Sequence, residues 1–355
     1  MAARTPHDVV KPEKIVATAA VALEEQLIVP AVFRREGIDQ FKGAKDDTIN
    51  VTVEGVLPYK SYGWRRDRNE PDAEVQFDEY TERKVAVKFG GDIYSAVKLT
   101  DEQNDLDLPG WAKLATKQTE AIGRGLEYEA TDAALAAPFE VTLGVADTAL
   151  KTGLIRARQV MTDLRVPAGR RVMLIGTGWE AALLEDEKLN LASNVGEAEA
   201  VSALREATIG RRFGFDFVVA RELPADTAIA MVDSAYIFVT GAPSVPQSVP
   251  FGATASHNGV AIRWIRDYDS TRFQDRSIFN TYKGFRYVDD PLVGRDGANK
   301  PFVSDENHFV RAIKLDLNGT DSLPDPVAGR VGENAKFTPA YDAELANITG
   351  IAKGA

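Results

Sequence analysis

Ser95 and Lys98 stand at S-x-x-K spacing, and Lys151-Thr152-Gly153 supplies a K-T-G triplet. Together these are two of the three signatures of a serine acyl-transfer site, in which a neighbouring base activates the hydroxyl. The third signature, S-D-N, does not occur between them. The alternation from Tyr94 to Leu99 places Ser95 in mid-strand rather than at a helix start. The four- and three-residue steps of Leu150, Leu154, Ala157, Met161 and Leu164 place Lys151 inside a helix. Gly176-Thr177-Gly178 follows a short apolar strand, where a phosphate-binding turn would sit, but lacks both the third glycine and a Walker lysine. A glycine turn opening a helix accounts for it. Asp101, Gln103, Asp105 and Asp107 alternate like calcium ligands, yet Leu106 and Ala112 stand where such a loop needs Gly and Glu. His7, His257 and His308 are scattered without metal-ligand spacing. The pairs Glu185/Asp186 and Asp289/Asp290 read as solvated helix ends or turns. These readings predict no catalytic residue, no cofactor site and no metal site.

The 355-residue chain has no cysteine, which removes disulfides, zinc ribbons and thiol catalysis together and fits folding in a reducing cytoplasm. Its composition, 44% hydrophobic and 27% charged, is that of a soluble globular protein with one large or two medium cores. The formal charge of -11, without a basic block, argues against a dedicated nucleic-acid binder. The sequence contains no apolar run near the ~20 residues that cross a bilayer, and no membrane partner is predicted.

The element around which the rest is arranged is a long helix over 107–136. Asp107 is its N-cap, Pro109 fits the first turn, and Trp111, Leu114, Ala115, Thr119, Ile122 and Leu126 form one mainly apolar stripe. At ~1.5 Å per residue it spans roughly 45 Å. Before it, Ile15, Ala19, Leu23 and Leu27 mark an amphipathic helix between Pro12 and Pro30, either an arm that docks elsewhere or a helix on its own domain. Thr48–Glu54 and Lys84–Phe89 alternate as the strands of a long hairpin. The connection between them carries Lys60, Arg65, Arg66 and Arg68 with Tyr59, Tyr62 and Trp64. That mixture suits a loop touching another chain, and equally a solvated surface loop.

After the long helix, Asp147 caps a second helix that ends at Pro167. Strand 170–175, a helix through Trp179 and Leu184, a helix over 197–208, and strands at 213–220, 228–232 and 236–239 suggest a compact α/β subdomain. The proline-rich stretch 241–252 is its exit. Strands follow at 260–264, 277–283, 285–288 and 309–317, and the residues after Asn318 are loop.

This order of elements resembles the major capsid proteins of tailed phages, with wording closest to those of phages of actinobacteria. KPEKIVATAAVALEEQLIVPAVFRR is similar to the family's N-arm. DTINVTVEGVLPYKSYGWRRDRNEP with ERKVAVKFGGDIYSAVKLTDEQ is similar to its extended E-loop. DLPGWAKLATKQTEAIGRGLEYEATDAAL is similar to its spine helix. GRRVMLIGTGWEAALLED, ATIGRRFGFDFVVA and AIAMVDSAYIFVTGAPSVP are similar to its axial domain, and GVAIRWIRDYDSTRFQDRSIFNTYKGFRYVDD to the return into the peripheral sheet. The likeness covers about 12–317.

The resemblance implies an α+β, HK97-like capsid fold. Its parts would be an N-arm (1–45), an E-loop (46–91), a peripheral domain with the spine helix (92–167), an axial domain (168–250), a return to the peripheral sheet (251–317) and a C-terminal extension (318–355). It implies a non-enzymatic subunit that assembles with itself through pentamers and hexamers into an icosahedral virion shell, built in the host cytoplasm and enclosing double-stranded DNA without sequence-specific binding. Lys60, Trp64, Arg65, Arg66 and Arg68, with Ile15, Leu23 and Leu27 of the arm, are the expected inter-subunit contacts. About 45 residues precede the hairpin, which implies a separate scaffolding protein, or none. A portal and a decoration protein are further implied partners. Lys60 is a donor for the isopeptide crosslink some members form, but no acceptor pair can be assigned and the bond is not predicted. An encapsulin-type compartment is the same-fold alternative. A cytosolic α+β hydrolase or binding protein, and a surface-layer or tail protein, are the alternatives outside it.

Overall fold

The computed structural model describes residues 12–37, 48–53, 83–101, 111–164, 169–186, 211–249, 251–295 and 301–322, with residues 57, 75, 77 and 166. Its helices, in chain order, are α1 (Pro12–Gln26), α2 (Val29–Val32), α3 (Trp111–Leu135), α4 (Leu150–Asp163) and α5 (Thr177–Glu185). The strands begin with β1 (Arg34–Gly37), β2 (Thr48–Val53), β3 (Arg83–Lys88), β4 (Asp92–Thr100), β5 (Thr142–Val145), β6 (Arg171–Ile175), β7 (Arg211–Arg212) and β8 (Phe215–Val219). They continue with β9 (Thr227–Val232), β10 (Tyr236–Gly241), β11 (Phe251–His257), β12 (Val260–Asp269), β13 (Gln274–Tyr287), β14 (Asp290–Arg295), β15 (Pro301–His308) and β16 (Ala312–Leu317). The chain divides into two units. One is drawn from 1–49, 86–136 and 236–286, the other from 50–85, 137–235 and 287–355.

The first unit is a sheet in the order β1-β10-β13-β12-β11, with β4 also paired to β13. β11, β12 and β13 form an antiparallel meander. Its first turn is Asn258-Gly259, with φ of 51° and 81°, the left-handed pair that a two-residue hairpin requires. Against this sheet lies α3, a 25-residue helix about 37 Å long. Its buried stripe is Gln118, Thr119, Ile122, Leu126, Ala130 and Ala134, at three- and four-residue steps. α1 packs on α3, β11 and β12. A Cβ on Gly123 would stand 2.7 Å from Oε1 of Gln26, so the glycine gives α1 its close approach. The Glu127 carboxylate of α3 accepts the backbone N–H groups of Ile28 and Val29, satisfying donors at the start of α2. Tyr236 stacks on Phe33 at 4.8 Å and donates its hydroxyl to the carbonyl of Ala134.

The second unit holds a mixed sheet in the order β5-β16-β9-β6-β8-β7. β6 and β8 are parallel, while β9 runs antiparallel to both β6 and β16. Every residue of β9 is buried, as expected of a central apolar strand. Leu150, Leu154, Ala157, Val160 and Met161 of α4 join Trp179 and Leu183 of α5 and the strand residues Met173, Ile175, Ala230 and Ile313 in one core cluster. β14 and β15 form a separate antiparallel hairpin. It is held to this unit by a buried pair in which Arg311 donates to both carboxylate oxygens of Asp290, one at 2.8 Å, and to the Ser234 carbonyl at 3.1 Å.

Several sequence expectations are corrected. β10, expected with the 168–250 subdomain, lies in the first unit's sheet, because its partners β1 and β13 are there. Conversely α4 and β16, expected with the other sheet, belong to the second unit, where β16 lies between β9 and β5, a strand the sequence did not suggest. The alternating run from 309 becomes a strand only at Ala312. The strands expected at 277–283 and 285–288 are one 14-residue strand that continues through Gly284 and ends at Tyr287. β1, β11 and the β14–β15 hairpin were not foreseen. The helix expected over 197–208 lies outside the described residues.

Candidate assembly surfaces

Among the described residues, neither the S-x-x-K and K-T-G fragments nor the glycine turn becomes a reactive site, and the alternating acidic run beyond Asp101 lies outside the described residues. Ser95 lies in mid-β4, and its carbonyl accepts a hydrogen bond from the Gln118 amide at 3.0 Å. Gln118 belongs to a closed buried network: it also donates to the Ser277 carbonyl and accepts from the Ser277 hydroxyl, which takes the Trp264 indole N–H at 2.9 Å. Lys151 is exposed on α4. At the glycine turn, the N–H of Gly176 donates to the Thr227 carbonyl, and those of Gly178 and Trp179 to the Ala225 carbonyl at 3.0 and 3.2 Å. These donors would have to face a phosphate, and the chain's own backbone already holds them. Among the described residues no group of three potential ligands could hold a metal ion.

The expected contact residues fall into two sets. Lys60, Trp64, Arg65, Arg66 and Arg68 lie outside the described residues. The arm residues are inside them. Leu23 is fully buried and Leu27 is 4% exposed, both against the chain's own first unit, so neither has surface to offer a neighbour as the unit stands. This corrects their assignment as inter-subunit contacts: α1 is seated on its own sheet, and apolar burial fixes it there. Ile15 is half-buried.

A polar clamp reinforces that seating. Arg35 of β1 donates to Glu24 of α1 at 2.8 Å and to the Asn258 carbonyl in the β11–β12 turn at 3.2 Å. The Asn258 amide reaches the same carboxylate. The hydrogen bond from Arg35 holds the Glu24 carboxyl below its ordinary range.

The surfaces that remain for contact are exposed apolar side chains at loops, tips and outer strand faces. Phe77 is 92% exposed, and Leu57 and Val75 in the same connection are also exposed. Tyr94 stands on the open face of β4, and Tyr268 and Phe273 stand at the end of the β12–β13 hairpin. Phe273 has φ of 50°, an unusual conformation for a bulky residue, and points into solvent. Aromatic residues are enriched in protein interfaces. Phe77, Tyr94 and Phe273 carried no distinguishing pattern in the sequence, because period and composition do not report which face of a strand or turn is left uncovered.

Comparison with solved structures gives this surface its context. The chain matches a chain from Mycobacterium phage Che8 with TM-score 0.56 at 14% identity, covering 83% of this chain and 92% of that one. It matches the mature capsid of bacteriophage PhiM1 with TM-score 0.54 at 11% identity, over 82% and 87% of the two chains. It matches the capsid of the cyanophage P-SCSP1u with TM-score 0.54 at 12% identity, over 80% and 89%. No curated protein matches the sequence. The fold is thus the α+β, HK97-like fold of phage capsid proteins, a structural class rather than an enzymatic one. The family model described as phage capsid protein matches residues 80–291, more than half of the chain, and the chain belongs to that family. It is a shell protein of a virion capsid and assembles with copies of itself.

Proposed function

We propose that copies of this chain close into pentamers and hexamers and so into an icosahedral shell around double-stranded DNA, assembled in the host cytoplasm. The observation that carries this reading is the pairing of a phage capsid family match with exposed aromatic side chains at loops and hairpin ends. The net charge of -11 suits a container wall that does not adhere to its polyanionic content. Lys60, Trp64, Arg65, Arg66 and Arg68 are the proposed contacts of the long connection with neighbouring subunits, and Ile15 is the arm residue still available for one. A portal and a decoration protein are further partners the family resemblance implies, together with a separate scaffolding protein or none. Negative-stain electron microscopy of the chain, produced alone and with any co-encoded scaffold, tests the reading. Closed shells of uniform diameter are expected, with nuclease-protected DNA in particles from infected cells. A chain that stays monomeric in both preparations overturns it.

A further inference from the structure

The mixed sheet of the second unit has two edges, and they are closed differently. On one side it ends at β7, two residues long and both arginine, which is too short and too charged to pair with a further strand. On the other side it ends at β5. This strand stands in the run Val141-Thr142-Leu143-Gly144-Val145-Ala146, which has no charge and no proline and holds Val and Thr, residues that favour strands. A bare edge of that kind is a template for strand addition by another chain.

The chain itself occupies this edge. β16 runs parallel to β5 and takes its inner side. Past Leu317 the chain turns around the end of β5 through Asn318, whose φ is 54°. The Asn318 N–H donates to the Val145 carbonyl, and its side-chain oxygen accepts the Asp147 N–H. Residues 319–322 then return along the outer side of β5 in the opposite direction. Ser322 and Thr142 exchange both backbone hydrogen bonds at 2.8 Å. The outward N–H of Gly144 is taken at 2.7 Å by the Asp321 carboxylate, in the place of a strand carbonyl. The strap runs so close that a Cβ on Gly144 would stand 2.1 Å from the Gly319 carbonyl oxygen. The second oxygen of Asp321 accepts Arg156 of α4 at 2.6 Å, with the two side chains 17% and 19% exposed. One carboxylate therefore ties the strap both to the sheet edge and to the helix packed on that sheet.

We propose that residues 318–322 are an edge guard, holding closed a strand-docking surface that a second copy of this chain would otherwise occupy with its own β5. The second copy is the fitting occupant because it carries the same uncharged run. Two such edges can pair antiparallel about a two-fold axis, each supplying the N–H and C=O groups the other lacks. The pairing would stop at a dimer, since β7 offers no second edge. Assembly brings copies of the chain together, so an open β5 would compete with the productive contacts. The guard is a property of each folded chain and does not depend on how shells close.

The test opens the strap in the full chain. Asp321→Ala takes the carboxylate from both its partners, and Ser322→Pro removes the N–H that donates to Thr142. In dilute D321A/S322P the Gly144 amide should exchange about tenfold faster or more, while that of Leu143, on the β16 side, changes by less than about threefold. Raising the concentration should restore protection at Gly144, because a second copy then takes the strap's place. The chain has no cysteine, so Thr142→Cys supplies a single thiol at the edge. A short bismaleimide should join two such copies about ten times more often, or more, with the strap open than with it closed. Exchange at Gly144 that is faster but indifferent to concentration, or crosslinking no higher than with the strap closed, overturns the proposal. If D321A/S322P melts more than about 10 °C below the wild type, D321A alone is read by the same two measurements. A wild-type exchange rate at Gly144 in D321A then overturns the strap's role.

Discussion

Replacing Arg311 with Met isolates what holds the second unit together where its chain segments meet. Arg311 and Asp290 are 8% and 9% exposed, and their hydrogen bonds are bidentate. A third bond from Arg311 reaches the Ser234 carbonyl, just before the chain leaves this unit at residue 235. Truncating one partner of such a pair leaves a buried carboxylate without its counter-charge, at a cost of about 3–5 kcal/mol. At ~1.4 kcal/mol per decade, this is roughly a 10²- to 4 × 10³-fold increase in the equilibrium population of the open state. Hydrogen exchange of peptides spanning β6 and β9 reads that population directly, without requiring the two units to unfold together. R311M should speed exchange there by that factor. The double variant R311M/D290L removes both charges and should return to within about 1 kcal/mol of the wild type, since a well-packed apolar pair often replaces a buried ion pair at little cost. The reasoning fails if R311M accelerates exchange by less than about fivefold, which is under ~1 kcal/mol, or if the two substitutions add without coupling.

Other perturbations separate core from interface. Leu23→Ala should destabilise the monomeric chain by about 2–5 kcal/mol in a urea titration, as a cavity in a closed core does, rather than leave the monomer intact and impair only assembly. Gly176→Ala would place a Cβ 2.2 Å from the Pro224 carbonyl and 2.7 Å from that of Ala225, so its melting temperature should fall by several degrees even though φ is an ordinary -75°. Glu24 is held below its unfolded value of 4.5, so its contribution is complete above that pH and is lost as pH falls through the lower folded value. Exchange over residues 12–26 should therefore rise between pH 5 and pH 3, and E24Q should flatten that dependence. Replacing Arg65, Arg66 and Arg68 together with Ala should reduce shell yield while leaving circular dichroism unchanged; an undiminished yield removes these residues from the interface.

Local chemistry and period carried a good deal. The stripe Thr119, Ile122 and Leu126 defines the long helix and its buried face, because 3.6-residue periodicity depends only on nearby residues. The alternation through Val51, Val53, Val85 and Val87 defines β2 and β3 in the same way. Ser95 and Lys151 were excluded as catalytic groups by the elements they occupy, and the structure places them in those elements. Asn258-Gly259 is a strong local signal for a two-residue hairpin turn, and β11 and β12 follow from its left-handed pair.

Tertiary structure decided which strand joins which sheet. β10 and β9 are both short, apolar and separated by three residues, yet they lie in different units. Their own sequences are equally suited to either sheet, and the choice depends on β13 and β16, which arrive more than 30 residues later. Burial of the arm was decided in the same way. Leu23 on an amphipathic helix is apolar in either role, and only the arrival of β11, β12 and α3 against it makes it core rather than contact. The sequence by itself determined the long helix, most of the helices and strands around it and their buried faces, since these rest on interactions within a turn or two of chain. Partnership among the elements rests on long-range packing, and only the folded chain decided it.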